Sequence, residues 1–321
     1  MMNHLLKELK RAIFSIKTYL FGLVFVVVGY VFVSIAFEFQ DWMIGLYLIL
    51  FIPLMIGFVS LYREMNLMTY QIKWLDIDLF YTGMGVILTY FIAKELSINA
   101  VIASSAVGFI GYLVIKNHSV AIYCGSFAGM VSSFEFGYDE VILIAFVCGL
   151  LYVLLKPLFM GVGGKLGTIA FISTIVMAVL LNKETLMVSN EIDPIRLILV
   201  SVLGVTIPFY LSDKLNLSQV LTSSLPSLIY AIILIYVIKQ YQPCAIVFFS
   251  ASFIGMSSKS RLNHISWIIL SGLVHAFLFY VYFEHYNGLG GKLGLMALTS
   301  VVIVVGIKKM ILMILQEKSY D

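Results

Sequence analysis

The sequence GVGGKLG at residues 161–167 recurs as GLGGKLG at residues 288–294, and each copy directly precedes an apolar stretch. A second pair, GSFAGMVSS at 125–133 and ASFIGMSSK at 251–259, occurs in the same order along the chain. Chance matches in an apolar protein involve mostly Leu and Val, so shared Gly, Ser and Lys residues discriminate better. Matching segments in the same order predict an internal duplication.

A longer match extends the duplicated region toward the N-terminus. GMGVILTYFIAKELSINAVIASS at 83–105 aligns without gaps with VLGVTIPFYLSDKLNLSQVLTSS at 202–224. Each copy then holds five apolar segments, and two unpaired segments precede them. The predicted organisation is a cytoplasmic N-terminal segment 1–18, an accessory hairpin and loop 19–78, repeat unit 1 at 79–184, repeat unit 2 at 185–314 and a cytoplasmic tail 315–321.

The composition is typical of a membrane protein. Of 321 residues, 61% are hydrophobic and 12% charged, and the mean hydropathy is +1.04, whereas a soluble domain carries roughly a quarter charged residues. Apolar runs near the ~20 residues needed to cross a bilayer recur from Tyr19 to Ile314. The predicted fold class is an all-α polytopic membrane protein with about 10–12 transmembrane helices. Nucleic-acid binding is not expected, because the net charge is only +3 and the basic residues are scattered.

Two of the twelve apolar segments are too short for a simple crossing. Segments 119–133 and 243–257 are also rich in Gly, Ser and Ala, which predicts broken or re-entrant helices buried among other helices. The predicted segments are 19–37, 43–62, 79–93, 98–115, 119–133, 141–159, 167–182, 195–211, 217–238, 243–257, 265–283 and 293–314.

The distribution of basic residues predicts the orientation. Lys7, Lys10, Arg11 and Lys17 precede the first apolar segment, and cytoplasmic loops are enriched in Lys and Arg. Both termini are therefore expected in the cytoplasm, with the chain in a bacterial inner membrane. Twelve crossings leave five of the 20 basic residues outside, and two re-entrant segments also leave five outside. Charge bias does not distinguish these two topologies.

The number of crossings per unit decides how the two units are related. Five crossings turn the second copy upside down and give an inverted repeat, which is the favoured prediction, whereas four crossings with a re-entrant segment give a parallel repeat. Short, Gly-interrupted segments at matching positions of two halves are the sequence pattern of a transporter's substrate site. This pattern is the main argument for a transport function.

The SFxGM segments hold the predicted substrate path. Their serines can hydrogen-bond a solute, their phenylalanines can wall a constriction, and their glycines allow close backbone approach. The alternative is that these small residues only let helices pack closely in lipid. The predicted path residues are Ser126, Phe127, Gly129, Ser132, Ser252, Phe253, Gly255, Ser258 and, on another helix, His275.

The GxGGKLG motif is a candidate anion site. Gly164, Lys165, Gly291 and Lys292 lie where an apolar helix begins, and the free N–H groups of a helix N-terminus favour an anion. The alternative is a flexible turn with a lysine reaching toward the headgroups. A Walker A site is not indicated, because that motif requires GxxxxGK[ST].

His275 and its counterpart in the first unit, Cys148, place a titratable group at the same depth of each unit. A histidine there can relay protons, or it can be neutral and bonded to a neighbouring helix. No cofactor and no metal site are predicted, since the three cysteines form no CxxC pair. The sequence contains neither HExxH nor GxSxG, so a catalytic site is not indicated.

These patterns predict a membrane transporter or channel for a small polar or anionic solute, with its path between the two units. The duplicated five-segment organisation resembles that of small-solute channels such as the urea channels, and the resemblance is one of architecture. A membrane-embedded enzyme or flippase acting on a lipid-linked substrate, and a non-transporting subunit of an envelope complex, remain alternatives. The expected partners are a small-molecule solute and membrane lipids, and homo-oligomerisation is left open.

Overall fold

The computed structural model describes residues 2–36, 41–67, 76–183, 193–239 and 242–317, and all regular structure among them is helical. A 3₁₀ turn at Lys116–His118 precedes α5, and a π-helix at Ile233–Ile238 extends α9. The twelve α-helices are α1 Met2–Ala36, α2 Asp41–Leu67, α3 Asp78–Glu95, α4 Ala100–Val114, α5 Ser119–Ala128, α6 Tyr138–Leu155, α7 Lys165–Leu180, α8 Pro194–Leu215, α9 Gln219–Ile232, α10 Gln242–Gly255, α11 Ile265–Tyr282 and α12 Lys292–Glu317.

Seven helices in the described part of the chain are long and apolar enough to cross a membrane. They are α1, α2, α6, α8, α9 with its π-helical extension, α11 and α12, and α4, α7 and α10 are shorter apolar helices. The prediction of an all-helical, integral multi-pass membrane protein is confirmed at this level. The boundaries of the repeat units and the relation between them remain predictions.

Helix ends differ from the predicted segments in a few places. α1 begins at Met2, so most of the predicted N-terminal segment continues the first span as helix. α5 ends at Ala128, before the end of predicted segment 119–133, and its ten residues reach only about 15 Å along the helix axis. Local capping fixes other ends: the Asn99 side chain accepts from the amide of Val101 at the start of α4.

The ends of α3 show how neighbouring helices are directed. Asp78, in the first turn of α3, lies 2.6 Å from His118 Nδ1, just before α5, and pairs with Lys156, just after α6. At the other end, the Tyr138 hydroxyl in the first turn of α6 donates to Glu95 at 2.7 Å. Thus α6 runs antiparallel to α3, and α5 begins beside the start of α3.

The short α5 is continued by an irregular segment, residues 129–137. The hydroxyl of Tyr90, in α3, donates to the carbonyl of Phe136 near the end of this segment. α5 and residues 129–137 together therefore follow α3 from its first turn toward its far end. α7 runs in the same direction, because Lys183, just beyond it, pairs with Glu140 in the first turn of α6 at 2.8 Å.

The N-terminal pair of helices is attached mainly through α2 and α12. A β-carbon on Gly57 would collide with Val302, and one on Gly306 would collide with the backbone of Pro53. These two close approaches place α2 directly along α12, since only a residue without a side chain fits at each point. α2 thus lies beside α12.

Candidate functional site

The GxGGKLG motifs form two turns that meet at the start of α7 and α12. Gly164 has φ +82° and Gly291 has φ +83°, a left-handed conformation that suits glycine. A β-carbon on Gly167 would come within 2.6 Å of the Gly294 α-carbon. The first turns of the two helices therefore pack backbone against backbone.

The contacts between these first turns are reciprocal. Gly164 packs against the amide of Leu298, and Gly291 packs against the amide of Phe171, which is the residue aligned with Leu298. Residues before Gly167 meet residues after Gly294, and the reverse also holds. The two helices consequently run antiparallel where they overlap, as expected for a self-complementary interface around a two-fold axis.

Each turn also bonds to an SFxGM segment: the turn at 161–167 to the segment at 251–259, and the turn at 288–294 to the segment at 125–133. The Ser132 amide donates to the carbonyl of Gly288 at 2.9 Å, and the Ser258 amide donates to the carbonyl of Gly161 at 2.9 Å. Ser132 aligns with Ser258, and Gly161 aligns with Gly288. The same backbone bond is thus made twice, once in each direction.

Aromatic rings lie at the centre of this arrangement. The ring centroids of Phe127 and Phe253 are 4.6 Å apart, and the ring of Phe249 lies 4.8 Å from Phe253 and 5.9 Å from Phe127. All three side chains are buried. The two phenylalanines predicted from the SFxGM motifs are therefore brought into contact with each other.

Two cavities adjoin this contact and share only the rings of Phe127 and Phe253. Cavity A has a volume of about 290 Å³ and cavity B about 120 Å³. Cavity A is lined by Asn99, Ala100, Val101, Phe127, Met130, Ile246, Phe249, Phe253, Phe279, Phe283, Asn287, Gly288, Leu289, Gly291, Lys292, Leu293 and Gly294. Cavity B is lined by Val120, Phe127, Gly161, Val162, Gly163, Gly164, Lys165, Leu166, Gly167, Gln219, Val220, Phe253 and Met256.

Residues that align between the two matching stretches of sequence line different cavities. Met130 lines cavity A and Met256, its counterpart after the SFxGM motif, lines cavity B. Likewise, Val101 lines cavity A and its counterpart Val220 lines cavity B. Each cavity is also bordered by one GGKLG turn. The two cavities are therefore built from matching sets of residues on the two sides of the phenylalanine contact.

Lys292, in the wall of cavity A, is held by three acceptors. Its ammonium donates to the carbonyl of Phe283 at 3.1 Å, the carbonyl of His285 at 2.9 Å and the side-chain oxygen of Asn287 at 2.6 Å. An ammonium group has three N–H donors, so all of them are used. Lys292 therefore closes the C-terminal end of α11, where a positive charge is favourable.

Lys165, in the wall of cavity B, is less fully engaged. Its ammonium donates to the carbonyl of Lys156, just beyond α6, at 2.6 Å. This bond matches the one from Lys292 to Phe283, because Lys156 and Phe283 are aligned. Lys165 lines cavity B and, on its other side, a further cavity described below.

The first turn of α7 lies beside cavity B with backbone amides outside the helical ladder. The first helical bond of α7 runs from the amide of Thr168 to the carbonyl of Gly164 at 3.0 Å, which leaves the amides of Lys165, Leu166 and Gly167 outside the helical ladder. These three residues line cavity B. The start of α7 therefore presents the positive end of a helix dipole to this cavity.

The predicted serines lie elsewhere. The hydroxyl of Ser126 bonds that of Ser104 at 2.9 Å, and the hydroxyl of Ser252 bonds that of Ser223 at 2.7 Å. Neither Ser126, Ser132, Ser252 nor Ser258 lines cavity A or B. Gly129 and Gly255 pack against the backbone of α3 and α8, at Val86 and Val205. These residues occupy the positions expected from the close-packing alternative.

His275 is fully buried between two hydroxyls. Its Nδ1 lies 2.8 Å from Ser201 Oγ and its Nε2 lies 2.7 Å from Ser250 Oγ, and Ser250 also donates to the carbonyl of Leu293 at 2.9 Å. This is the arrangement of a histidine bonded to neighbouring helices, and His275 lines neither cavity. Within the described residues, no group of three or more His, Cys, Asp or Glu side chains could hold a metal ion.

Sequence reasoning missed several residues of the cavity walls. Phe249 precedes Phe253 by four residues on α10, so helical spacing alone would have placed both on one face. Asn99 and Asn287 are polar residues in loops before α4 and α12, and nothing in the sequence distinguishes them from other loop residues. Comparisons with protein-family models, with curated proteins and with solved structures found no match to this chain.

Proposed function

We propose that this protein is a membrane transporter or channel for a small polar or anionic solute. The path runs from cavity A, past the contact between Phe127 and Phe253, into cavity B. The single observation that carries the proposal is the pair of cavities lined by aligned residues on the two sides of one aromatic contact. A closed constriction between two cavities is the arrangement expected of a translocation path in a resting state.

We also propose that the two units are inverted repeats with five crossings each. Support comes from the antiparallel overlap of α7 and α12, whose contacts are reciprocal around Gly167 and Gly294. Further support comes from residues 129–137, which extend α5 along the length of α3. α5 and the irregular segment after it reach the far end of α3, as a full crossing does, whereas a re-entrant segment would return to the end where α5 begins. Irregular backbone at membrane depth is tolerated where it lines a cavity, and Met130 of this segment lines cavity A.

In this topology cavity B faces the cytoplasm. Lys17 donates to the carbonyl of Met65, near the end of α2, at 3.3 Å, and Glu64 of the same turn pairs with Arg261. Arg261 in turn donates to the carbonyl of Met160, in the turn before α7, at 3.1 Å. Basic residues thus gather at the end of the bundle that holds cavity B, and Lys and Arg are enriched on the cytoplasmic side.

The preference for an anion rests on the charge of the path. Each GGKLG turn brings a helix N-terminus and a lysine to the cavity wall, and no Asp or Glu lines cavity A or B. Free amides at a helix start favour negative charge. The aromatic and aliphatic lining restricts the solute to a small one.

The proposal is tested by flux through purified protein in liposomes. Efflux of chloride, nitrate, formate and acetate is measured with ion-selective detection, and entry of urea and glycerol by light scattering. Phe127→Ala and Phe253→Ala are expected to raise the flux of at least one solute several-fold, since each removes half of the constriction. Phe248→Ala is the matched control, because Phe248 is buried in α10 but stacks on Tyr230 at 4.4 Å, away from both cavities.

Two results would contradict the proposal. One is flux indistinguishable from protein-free liposomes for wild type and both variants while each protein remains monodisperse. The other is an equal increase with Phe248→Ala, which would assign the effect to general loosening of the bundle.

A further inference from the structure

A third cavity, cavity C, opens beside cavity B and has a volume of about 290 Å³. It is lined by Asp78, Asn117, His118, Val120, Ala121, Tyr152, Lys156, Lys165 and Leu166. Val120, Lys165 and Leu166 line cavity B as well, so the two cavities adjoin along one wall. Cavity C is the more polar of the two and lies at the end of the bundle proposed to face the cytoplasm.

The one carboxylate in cavity C is already neutralised. Asp78 Oδ1 lies 2.6 Å from His118 Nδ1, and Asp78 Oδ2 pairs with Lys156. Lys156 also donates to Asp76 at 3.0 Å. Partial burial acts to lower the pKa of Lys156, but the bonds to Asp78 and Asp76 outweigh it and raise this pKa above its ordinary value. Lys156 therefore remains a cation, and both oxygens of Asp78 are engaged.

Three of the remaining polar side chains of the wall can donate hydrogen bonds. Lys165 uses one of its three N–H groups on the carbonyl of Lys156, so two remain. The side-chain amide of Asn117 and the hydroxyl of Tyr152 complete the set, whereas His118 uses its Nδ1–H on Asp78. An ammonium, an amide and a hydroxyl around one cavity match the acceptor oxygens of a carboxylate or phosphate, for which charge-assisted hydrogen bonds are the strong ones.

Three polar residues of the cavity C wall have apolar counterparts in the other copy, although Lys165 is aligned with Lys292. In the other copy, Leu197 is aligned with Asp78, Phe279 with Tyr152 and Phe283 with Lys156. Phe279 and Phe283 line cavity A, where they form an apolar wall. The duplicated fold is therefore built without these polar residues on one side, and their presence on the other side calls for a separate explanation.

We propose that cavity C is a binding site for a small soluble oxyanion, a carboxylate or inorganic phosphate, held by Lys165, Asn117 and Tyr152. That cavity C passes the anion along Lys165 into cavity B rests on the proposed transport function. The binding of an anion in cavity C does not depend on that function. The asymmetry between the two copies then means that anions are collected on the cavity B side.

The test is thermal unfolding of the purified full-length protein in detergent with acetate, with inorganic phosphate, or with chloride at matched ionic strength. A ligand that binds the folded state raises the midpoint in proportion to the logarithm of its concentration above Kd. Acetate or phosphate is expected to raise the midpoint above chloride. Tyr152→Phe and Asn117→Ala are each expected to weaken the apparent affinity several-fold.

Matched controls change the same residue types outside the cavity. Tyr112→Phe and Asn66→Ala are expected to bind as wild type does, because neither residue lines cavity C. Tyr152→Phe introduces only the residue that the second copy carries at the aligned position, so loss of folding is not expected from it. Short-chain phosphatidylglycerol is titrated in parallel to distinguish a lipid headgroup from a soluble anion.

Three results would overturn the inference: no stabilisation of wild type by acetate or phosphate, unchanged affinity in both cavity variants, or stabilisation by the lipid alone. Because binding is measured without a membrane gradient, the outcome is independent of flux. Binding at cavity C without flux would overturn the transport function and leave the site. Flux without binding at cavity C would overturn the site and leave the transport function.

Discussion

Cavities A and B differ most in the contacts of the lysine that each GGKLG motif places in the cavity wall. Lys292 gives all three of its donors to Phe283, His285 and Asn287 and is 7% exposed, whereas Lys165 bonds, among the residues that the structure describes, only the carbonyl of Lys156. One sequence motif thus yields a closed helix cap on one side and a cation facing two cavities on the other. The difference teaches that a repeated motif preserves backbone packing more strictly than it preserves side-chain chemistry.

The largest expected effect concerns the glycine packing between the two GGKLG turns, which cavities A and B have in common. Gly167→Ala and Gly294→Ala each place a β-carbon against the opposing backbone, and each is expected to destabilise the protein by about 3 kcal/mol, the upper end of overpacking effects. Gly22→Ala is the control, since a β-carbon there meets nothing within 4 Å. Thermal unfolding in detergent measures the change. Equal tolerance of all three substitutions would show that the turns do not pack as described.

A smaller effect on the free energy of unfolding is expected to distinguish Lys292 from Lys165. Lys292→Met leaves three acceptors without their donor and is expected to cost about 2 kcal/mol, whereas Lys165→Met removes one bond and is expected to cost under about 1 kcal/mol. The same unfolding assay with and without acetate adds the opposite contrast, since only Lys165→Met should reduce stabilisation by the anion. Equal losses from both substitutions would remove the asymmetry between the cavities.

Much of the helical framework was predictable from the sequence. Apolar runs bounded by charged residues predicted most of the helices, and the GGKLG motifs were correctly placed at the starts of α7 and α12. Gly and Ser residues were harder to interpret. In a bilayer most faces of a helix are apolar, so composition does not show which face meets lipid, a neighbour or a cavity.

The faces that α5 and α10 turn toward the cavities are the clearest example of what the sequence could not predict. Their phenylalanines meet at the cavities, while Ser126 and Ser252 turn toward Ser104 and Ser223 on α4 and α9. Both side-chain types were predicted for the path, and only contacts between helices could separate them. Cavity C was missed for a different reason: Asp78, His118 and Lys156 are far apart in sequence and meet only because three helix ends coincide.

The central claim is that aligned residues of the two copies reach cavities on opposite membrane faces. Met130→Cys and Met256→Cys, each in a background without the three native cysteines, test it directly with a membrane-impermeant thiol reagent applied to one face at a time. Labelling of position 130 only from outside and of position 256 only from the cytoplasm is the predicted result. Labelling of both positions from the same face would contradict the inverted repeat and the path through the phenylalanine contact.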